Sequence, residues 1–178
     1  FTGMGVFEYY SIPNSMGSAR CMWPYISRDR NGTYHVVMTE NSSTGAPQRI
    51  GYTRSINSGD TWTALANVDT VRVISPVVVS SPVSDKVAIV YSHPTDSTWL
   101  RNDVYYIQST DGITWDWANG KINVTNYGQN GDSLYAYTDL AAVYDYNDDL
   151  QIVWNGQYTS TGGEFYPLTF LYHYDGHS

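Results

Sequence analysis

A strand pattern that recurs three times is the feature that most constrains how this chain of 178 residues can fold. Three short apolar runs align without gaps and start at Tyr34, Val87 and Leu150, which sets intervals of 53 and 63 residues. Each run follows a turn rich in Asn, Asp, Gly or Ser, and another short apolar run precedes each turn. Two β-rich runs around such a turn predict a β-hairpin.

Two further runs complete the repeating unit. A third run follows each hairpin after a longer polar loop, at 48–53, 103–108 and 168–174. A weaker fourth run follows in the first two copies, at 64–73 and 117–124. The unit is therefore about four short antiparallel strands at roughly the 40–50-residue period of propeller blades. No long segment has the 3.6-residue period of a helix.

We therefore predict an all-β fold, a β-propeller fragment of about three four-stranded antiparallel blades. The blades are expected at 20–73, 74–125 and 139–178. Residues 1–19 form a lead-in segment, which could be the end of a preceding blade. Propellers close with about 4–8 blades. Further blades, from the parent chain or from a partner chain, are therefore expected to close the ring. The alternative is a β-sandwich whose turns resemble one another by coincidence.

A short motif lies between the third and fourth strands of the first two copies. Its tryptophans are Trp62 and Trp115, again 53 residues apart. An Asp or Asn side chain can accept backbone N–H groups two residues further on, and glycine supplies the positive φ that the turn needs. The motif residues are Ser55, Asn57, Gly59, Thr61 and Trp62 in copy one, and Ser109, Asp111, Gly112, Thr114 and Trp115 in copy two.

These two motifs resemble the Asp box, or BNR repeat, of sialidase-like propellers and related secreted proteins. Copy one has Asn57 in place of the Asp, copy two is one residue shorter, and copy three has only Asp175 and Gly176. Segments 23–26 and 151–156 are also similar to secreted bacterial propeller proteins. The resemblance implies that the boxes fix the fold of each blade and do not carry chemistry.

Candidate ligand-binding residues lie on the face opposite the boxes. In a four-stranded up-and-down blade, the second-to-third loops and the links between blades share that face, and in sialidase-like proteins the site is there. Aromatic side chains suit stacking on sugars, and charged ones suit polar contacts. The candidates are Arg20, Trp23, Glu40, Trp99, Arg101, Tyr137, Asp139, Tyr158 and Glu164.

We expect a secreted or cell-surface propeller that acts as a non-catalytic glycan- or protein-recognition module or scaffold. A sialidase resemblance would imply an arginine triad, an Asp acid and a Tyr nucleophile paired with Glu. The Arg-Ile-Pro signature is absent: the nearest match is Ser11-Ile12-Pro13, which lacks the Arg. Arginines are present at Arg20, Arg49, Arg54, Arg72 and Arg101, but most of them fall at strand or box-flanking positions. The alternatives are a sialidase-like exo-glycosidase fragment whose catalytic residues lie largely outside this segment, and a structural blade array within a larger assembly.

Charge and composition narrow the partners. The net charge of −8, with no basic cluster, argues against nucleic acid, and no apolar run is long enough for membrane insertion. The single cysteine allows no internal disulfide. No cofactor or metal is expected, although Asp145, Asp148 and Asp149 could hold Ca²⁺ beside a hairpin turn; a solvated turn explains them more simply.

Overall fold

The computed structural model describes residues 11–43, 46–127, 133–159 and 165–177, with the backbone alone for 165–168. Every element whose bounds it describes is a β-strand. The strands are β1 (Ser15–Met16), β2 (Ala19–Arg28), β3 (Tyr34–Glu40), β4 (Gln48–Ser55), β5 (Ala66–Val71), β6 (Val77–Ser80), β7 (Val87–Pro94), β8 (Asn102–Ser109), β9 (Lys121–Asn123), β10 (Leu134–Tyr144), β11 (Leu150–Thr159) and β12 (Phe165–Tyr174). No helix in these ranges is both long and apolar enough to cross a bilayer.

The strands form three blades in chain order. Blade one is β2–β5, with the short β1 paired to β2, and forms one sheet. Blade two is β6–β9 and blade three is β10–β12; a single residue pair between β10 and β8, Ala136 with Asn102, joins these two blades into one hydrogen-bonded sheet. Neighbouring strands are antiparallel in every blade. The first strand of blade two, β6, contacts the first strands of both other blades, β2 and β10. The predicted all-β propeller fragment is therefore confirmed, with the blades stacked around their first strands.

Blade two has a hydrophobic core on each side. Successive side chains of a strand point to opposite faces of its sheet. Ile89 accordingly packs towards blade one, beside Val37, while Val90 packs towards blade three, beside Ile152. Both faces of β7 are therefore buried, and the two cores replace the single core that a β-sandwich would have.

The two box loops fix their turns with side-chain hydrogen bonds. Asn57 Oδ1 accepts the N–H of Thr61 at 3.0 Å, and Asp111 Oδ1 accepts the N–H of Thr114 at 2.7 Å. Box one accommodates its additional residue with two positive φ angles, at Ser58 and Gly59, where box two has Gly112 alone. Their tryptophans occupy corresponding places, each on the face of its own blade that points away from the next blade.

Blade three begins earlier than the predicted boundary at residue 139. Its first strand starts at Leu134 and contains a bulge between Ala136 and Leu140. Asn155 Oδ1 accepts the N–H groups of Thr138 and Asp139 at 3.2 and 3.0 Å, so these donors are satisfied away from the ladder. The bulge interrupts the alternation of side chains, which is why the sequence pattern indicates a link there.

Candidate functional site

The connections opposite the box loops meet in one cleft. In antiparallel blades, the second-to-third loop and the link to the next blade lie at the end of the sheet away from the third-to-fourth turn. Here the β3–β4 loop, the β5–β6 link and the β7–β8 loop all contribute side chains to the same depression. The cleft therefore lies on the face where the sequence analysis expects a ligand site.

This inter-blade cleft has a volume of about 370 Å³. That volume lies within the range of small-molecule sites, roughly 300–1,000 Å³. Its side chains come from all three blades and combine indole rings, aliphatic groups, hydroxyls, an amide and a guanidinium. The lining residues are Trp23, Ser42, Ser43, Gln48, Arg72, Val73, Ile74, Trp99 and Thr138.

Trp23 enters the cleft from an irregular point of β2. Its φ of 53° lies in the left-handed region, which residues other than glycine rarely adopt. The pairing of β2 with β3 shifts register between Met22 and Tyr25, so Trp23 lies in a β-bulge. The residue is 42% exposed. Strained backbone that presents an accessible side chain is characteristic of ligand sites.

Trp99 reaches the cleft from the β7–β8 loop and is held from behind. Its ring centroid lies 6.1 Å from that of Tyr137, at an interplanar angle of 33°. The buried Asn102 donates from Nδ2 to the carbonyl oxygens of Trp99 at 3.0 Å and Tyr137 at 3.3 Å. Asn102 therefore ties the loop of blade two to the first strand of blade three and fixes this aromatic wall.

Polar groups line the cleft beside the two indoles. Gln48 is buried, and Ser42 Oγ donates to its Oε1 at 3.4 Å. Arg72 supplies the charge among the lining residues and is half-buried. Arg72 directly follows Val71, the last residue of β5, and so begins the link to blade two. That position on the cleft face is the signal that would have identified Arg72 from the sequence.

Of the nine ligand-binding candidates, the structure brings Trp23, Trp99 and Tyr137 together. Trp23 and Trp99 line the cleft, and Tyr137 packs against Trp99. Sequence reasoning did not single out Gln48 or Thr138, because an amide at the start of a strand and a hydroxyl in a bulge carry no distinctive pattern.

Glu40 serves the blade and is absent from the lining of the cleft. Its carboxylate accepts Arg49 Nε at 2.9 Å and the backbone N–H of Arg49 at 2.7 Å. The hydrogen bond from the Arg49 side chain lowers the pKa of Glu40. The ion pair fixes the entry of β4 next to β3.

The other candidates lie around or away from the cleft. Arg101 pairs with Asp96 at 3.6 Å and places its guanidinium 5.4 Å from the centroid of the Tyr135 ring. Tyr158 packs edge-on against Phe170, at 6.0 Å between ring centroids. Arg20 and Asp139 are exposed outside the cleft lining, and Glu164 lies outside the described residues.

The turn carboxylates considered for Ca²⁺ already have protein partners. Asp145 Oδ1 accepts the N–H of Asp149 at 3.0 Å. Asp148 accepts Ser81 Oγ at 2.6 Å and pairs with Lys86 Nζ at 2.9 Å, which ties blade three to blade two. In the part of the chain that the structure describes, no group of three or more His, Cys, Asp or Glu residues could hold a metal ion.

Comparison with known proteins shows the fold. No protein-family model and no curated protein sequence matches the chain. A protein of unknown function from Dyadobacter fermentans matches with a TM-score of 0.58 at 13% identity, over 94% of this chain and 42% of that one. The polysaccharide lyase Uly1 matches with a TM-score of 0.56 at 10% identity, over 86% and 38%. A PL25 ulvan lyase bound to -[GlcA(1-4)Rha3S]- matches with a TM-score of 0.56 at 13% identity, over 89% and 42%.

The chain thus spans about two fifths of the length of these solved structures. Sialidases are also among the similar structures, with NanB from Streptococcus pneumoniae at a TM-score of 0.46. The propeller-like fold of this chain is therefore one that carbohydrate-active enzymes also adopt.

Proposed function

We propose that this chain is a non-catalytic glycan-recognition module that binds an acidic polysaccharide in the inter-blade cleft. The observation that carries the proposal is the presence of two accessible indoles and one guanidinium in a single cleft of about 370 Å³. A protein ligand remains the other class of partner for the same cleft.

The chemistry of the lining suits an anionic sugar. Indole faces pack well against the C–H faces of a pyranose ring, and hydroxyl and amide groups can exchange hydrogen bonds with sugar hydroxyls. A guanidinium binds carboxylate or sulfate oxygens in a charge-assisted geometry. The ligand bound to the similar ulvan lyase contains a glucuronic acid and a sulfated rhamnose, which supports this class of ligand.

The absence of acids from the described lining supports binding without hydrolysis by this segment. A glycosidase of the usual type needs two carboxyl groups that flank the scissile bond. The described lining residues of the cleft include neither Asp nor Glu. An exo-glycosidase fragment would need its acids from elsewhere, and incubation with fluorogenic glycosides tests that alternative directly.

A secreted or cell-surface location follows from the proposal, because acidic polysaccharides of this kind are extracellular polymers.

The negative net charge of the chain makes long-range attraction to such a ligand unfavourable. Specificity must therefore come from contacts at short range within the cleft.

Calorimetric titration with a glucuronate- and sulfate-containing oligosaccharide tests the proposal. Trp99→Ala should weaken binding about tenfold, since an aromatic contact of this kind is worth about 1.4 kcal/mol. Arg72→Gln should weaken binding of the acidic ligand by a similar factor and leave a neutral analogue unaffected. Arg30→Gln is the matched control, because Arg30 contacts Val83 on the opposite face. Equal affinity in all three variants would contradict the proposal.

A further inference from the structure

The first box loop carries a second, smaller depression, on the face opposite the inter-blade cleft. Its volume is about 200 Å³, and its lining residues are Arg54, Ile56, Thr61, Trp62 and Thr63. All five belong to the end of β4 or to the loop that follows it. Small-molecule sites usually occupy roughly 300–1,000 Å³, so this depression suits one compact group, such as a single sugar residue. We call it the box-one pocket.

The guanidinium of Arg54 gives the pocket a positive charge. Arg54 is half-buried, and in the described part of the chain no carboxylate lies within ion-pair distance of it, whereas other basic side chains do pair: Arg30, Arg49, Lys86 and Lys121. The chain has 17 acidic residues against 9 basic ones, so acids are not in short supply. The Arg54 guanidinium is therefore available to an oxyanion from solution.

The asparagine of the first box reverses a hydrogen bond that the second box makes with its aspartate. In the second box, Thr114 Oγ1 donates to Asp111 Oδ2 at 2.8 Å. In the first box, Asn57 Oδ1 already accepts Ser55 Oγ and the N–H of Thr61. Its Nδ2 therefore faces Thr61 Oγ1 and donates to it at 3.0 Å. The Thr61 hydroxyl keeps its own hydrogen, which is directed to no acceptor among the described residues and can bind an anion.

The two boxes also differ in charge at two flanking positions. Gln108 takes the place of Arg54 in the strand ladder, and Asp116 takes the place of Thr63, since each of the latter two follows a box tryptophan. Together with the asparagine, box one thus departs from box two at three positions, and each difference makes it more favourable to an anion. The acid of the first box loop, Asp60, lies outside the lining of the pocket.

We propose that the box-one pocket binds the carboxylate or sulfate group of an acidic sugar residue. Arg54 and the Thr61 hydroxyl supply the donors for the anionic group. Trp62 supplies the face of its ring, because its Nε1 already donates to the Gly59 carbonyl at 2.9 Å. The choice of a sugar as the carrier of the anion rests on the proposed function. The pocket shares no lining residue with the inter-blade cleft, so the two sites can be tested separately.

Nuclear magnetic resonance titration of the full, nitrogen-15-labelled chain at neutral pH tests this proposal. The probes are glucuronate, a monosulfated glucose, neutral glucose and inorganic sulfate, all at one ionic strength. We expect saturable shifts of the Thr61 and Thr63 amides and of the Trp62 indole N–H with both acidic sugars, and none with glucose. Absence of these shifts with the acidic sugars overturns the proposal. Equal affinity for inorganic sulfate overturns the assignment of a sugar.

Two substitutions in the first box loop identify the pocket. Arg54→Gln installs the residue of the second box and should weaken binding at least about tenfold, because it removes a charge-assisted hydrogen bond. Asn57→Asp should weaken binding by at least a similar factor, because the carboxylate takes the Thr61 hydroxyl hydrogen and repels the ligand. Thermal unfolding establishes that this variant is folded, as the aspartate of the second box leads us to expect. Undiminished binding in either variant overturns the proposal.

Two further variants separate the pocket from a general charge effect and from the cleft. Arg30→Gln removes the same charge on the same face and should leave the shifts at Thr61 unchanged, because Arg30 pairs with Asp85 away from the pocket. Arg72→Gln should also leave them unchanged, and shifts that disappear in either variant overturn an independent site. If the acidic sugars shift Thr61 while calorimetry shows no binding in the cleft, the proposed function is wrong and the box-one pocket stands.

Discussion

Replacement of Trp23 by glycine and by alanine measures the backbone strain at this residue of the inter-blade cleft. Trp23 has a φ of 53° inside a β-bulge. A residue with a Cβ atom in the left-handed region costs about 1–2 kcal/mol, and glycine avoids that cost. Glycine also makes the unfolded chain more flexible than alanine does, which costs about 0.4–1 kcal/mol. The Trp23→Gly variant should therefore be more stable than Trp23→Ala by about 0.8 kcal/mol.

Both variants lose the same ring, so the comparison isolates the backbone. Urea unfolding gives the difference in the free energy of unfolding, and thermal unfolding should show it as roughly 2–3 °C for a chain of this size. Trp99 is the control position, because its φ is not among the positive ones of the described residues. There the alanine variant should be the more stable, which is the usual order. If Trp23→Ala proves equal to or more stable than Trp23→Gly, the strain assigned to this bulge does not exist.

Three other substitutions test the cleft wall, box two and the buried histidine. Asn102→Ala removes the hydrogen-bond donors to the Trp99 and Tyr137 carbonyls, so it should lower the free energy of unfolding by about 2 kcal/mol in urea. It should also weaken ligand binding in calorimetry, and an unchanged affinity would show that Asn102 does not position Trp99. The hydrogen bond from the N–H of Thr114 lowers the pKa of Asp111 below its ordinary 3.8, so the Asp111 carboxylate stabilises the fold above pH 3.8 and does so less below it. Asp111→Asn should therefore reduce the loss of stability between neutral and acidic pH, and an unchanged loss would refute this role of Asp111. Burial lowers the pKa of His35 below 6.5 in the folded chain, so the unfolded chain takes up a proton at a higher pH than the folded chain does. The free energy of unfolding should therefore fall as the pH drops below 6.5. His35→Gln should remove this pH dependence, and a dependence that persists in the variant would belong to another group.

The blade repeat is the part of the fold that the sequence predicts well. The apolar runs at Val87–Pro94 and its two counterparts show where the second strands lie, because a strand that is buried on both faces carries apolar residues at successive positions. The box tryptophans Trp62 and Trp115 share the strand interval, so the repeat alone predicts that they occupy corresponding places in their blades. Because the blades pack in the same way, the residues that pack them recur at the same interval in the sequence.

The cleft is harder to predict because it depends on departures from that period. The bulges at Trp23 and at 136–140 break the alternation of side chains along their strands. No neighbouring residue type predicts that a tryptophan will adopt a positive φ. Arg72 joins the cleft only because the link after β5 turns across to blade two. Glu40 shows the converse, since a carboxylate at a loop entrance can pair with its own strand neighbour, Arg49.

A crystal structure of the chain with a bound glucuronate- and sulfate-containing oligosaccharide would show whether the inter-blade cleft is the binding site. We expect a sugar ring against the face of Trp23 or Trp99 at about 4 Å, with its carboxylate or sulfate directed to Arg72. A ligand bound only on another face, or in the cleft with its anionic groups turned away from Arg72, would show that the cleft does not bind acidic sugars in this way.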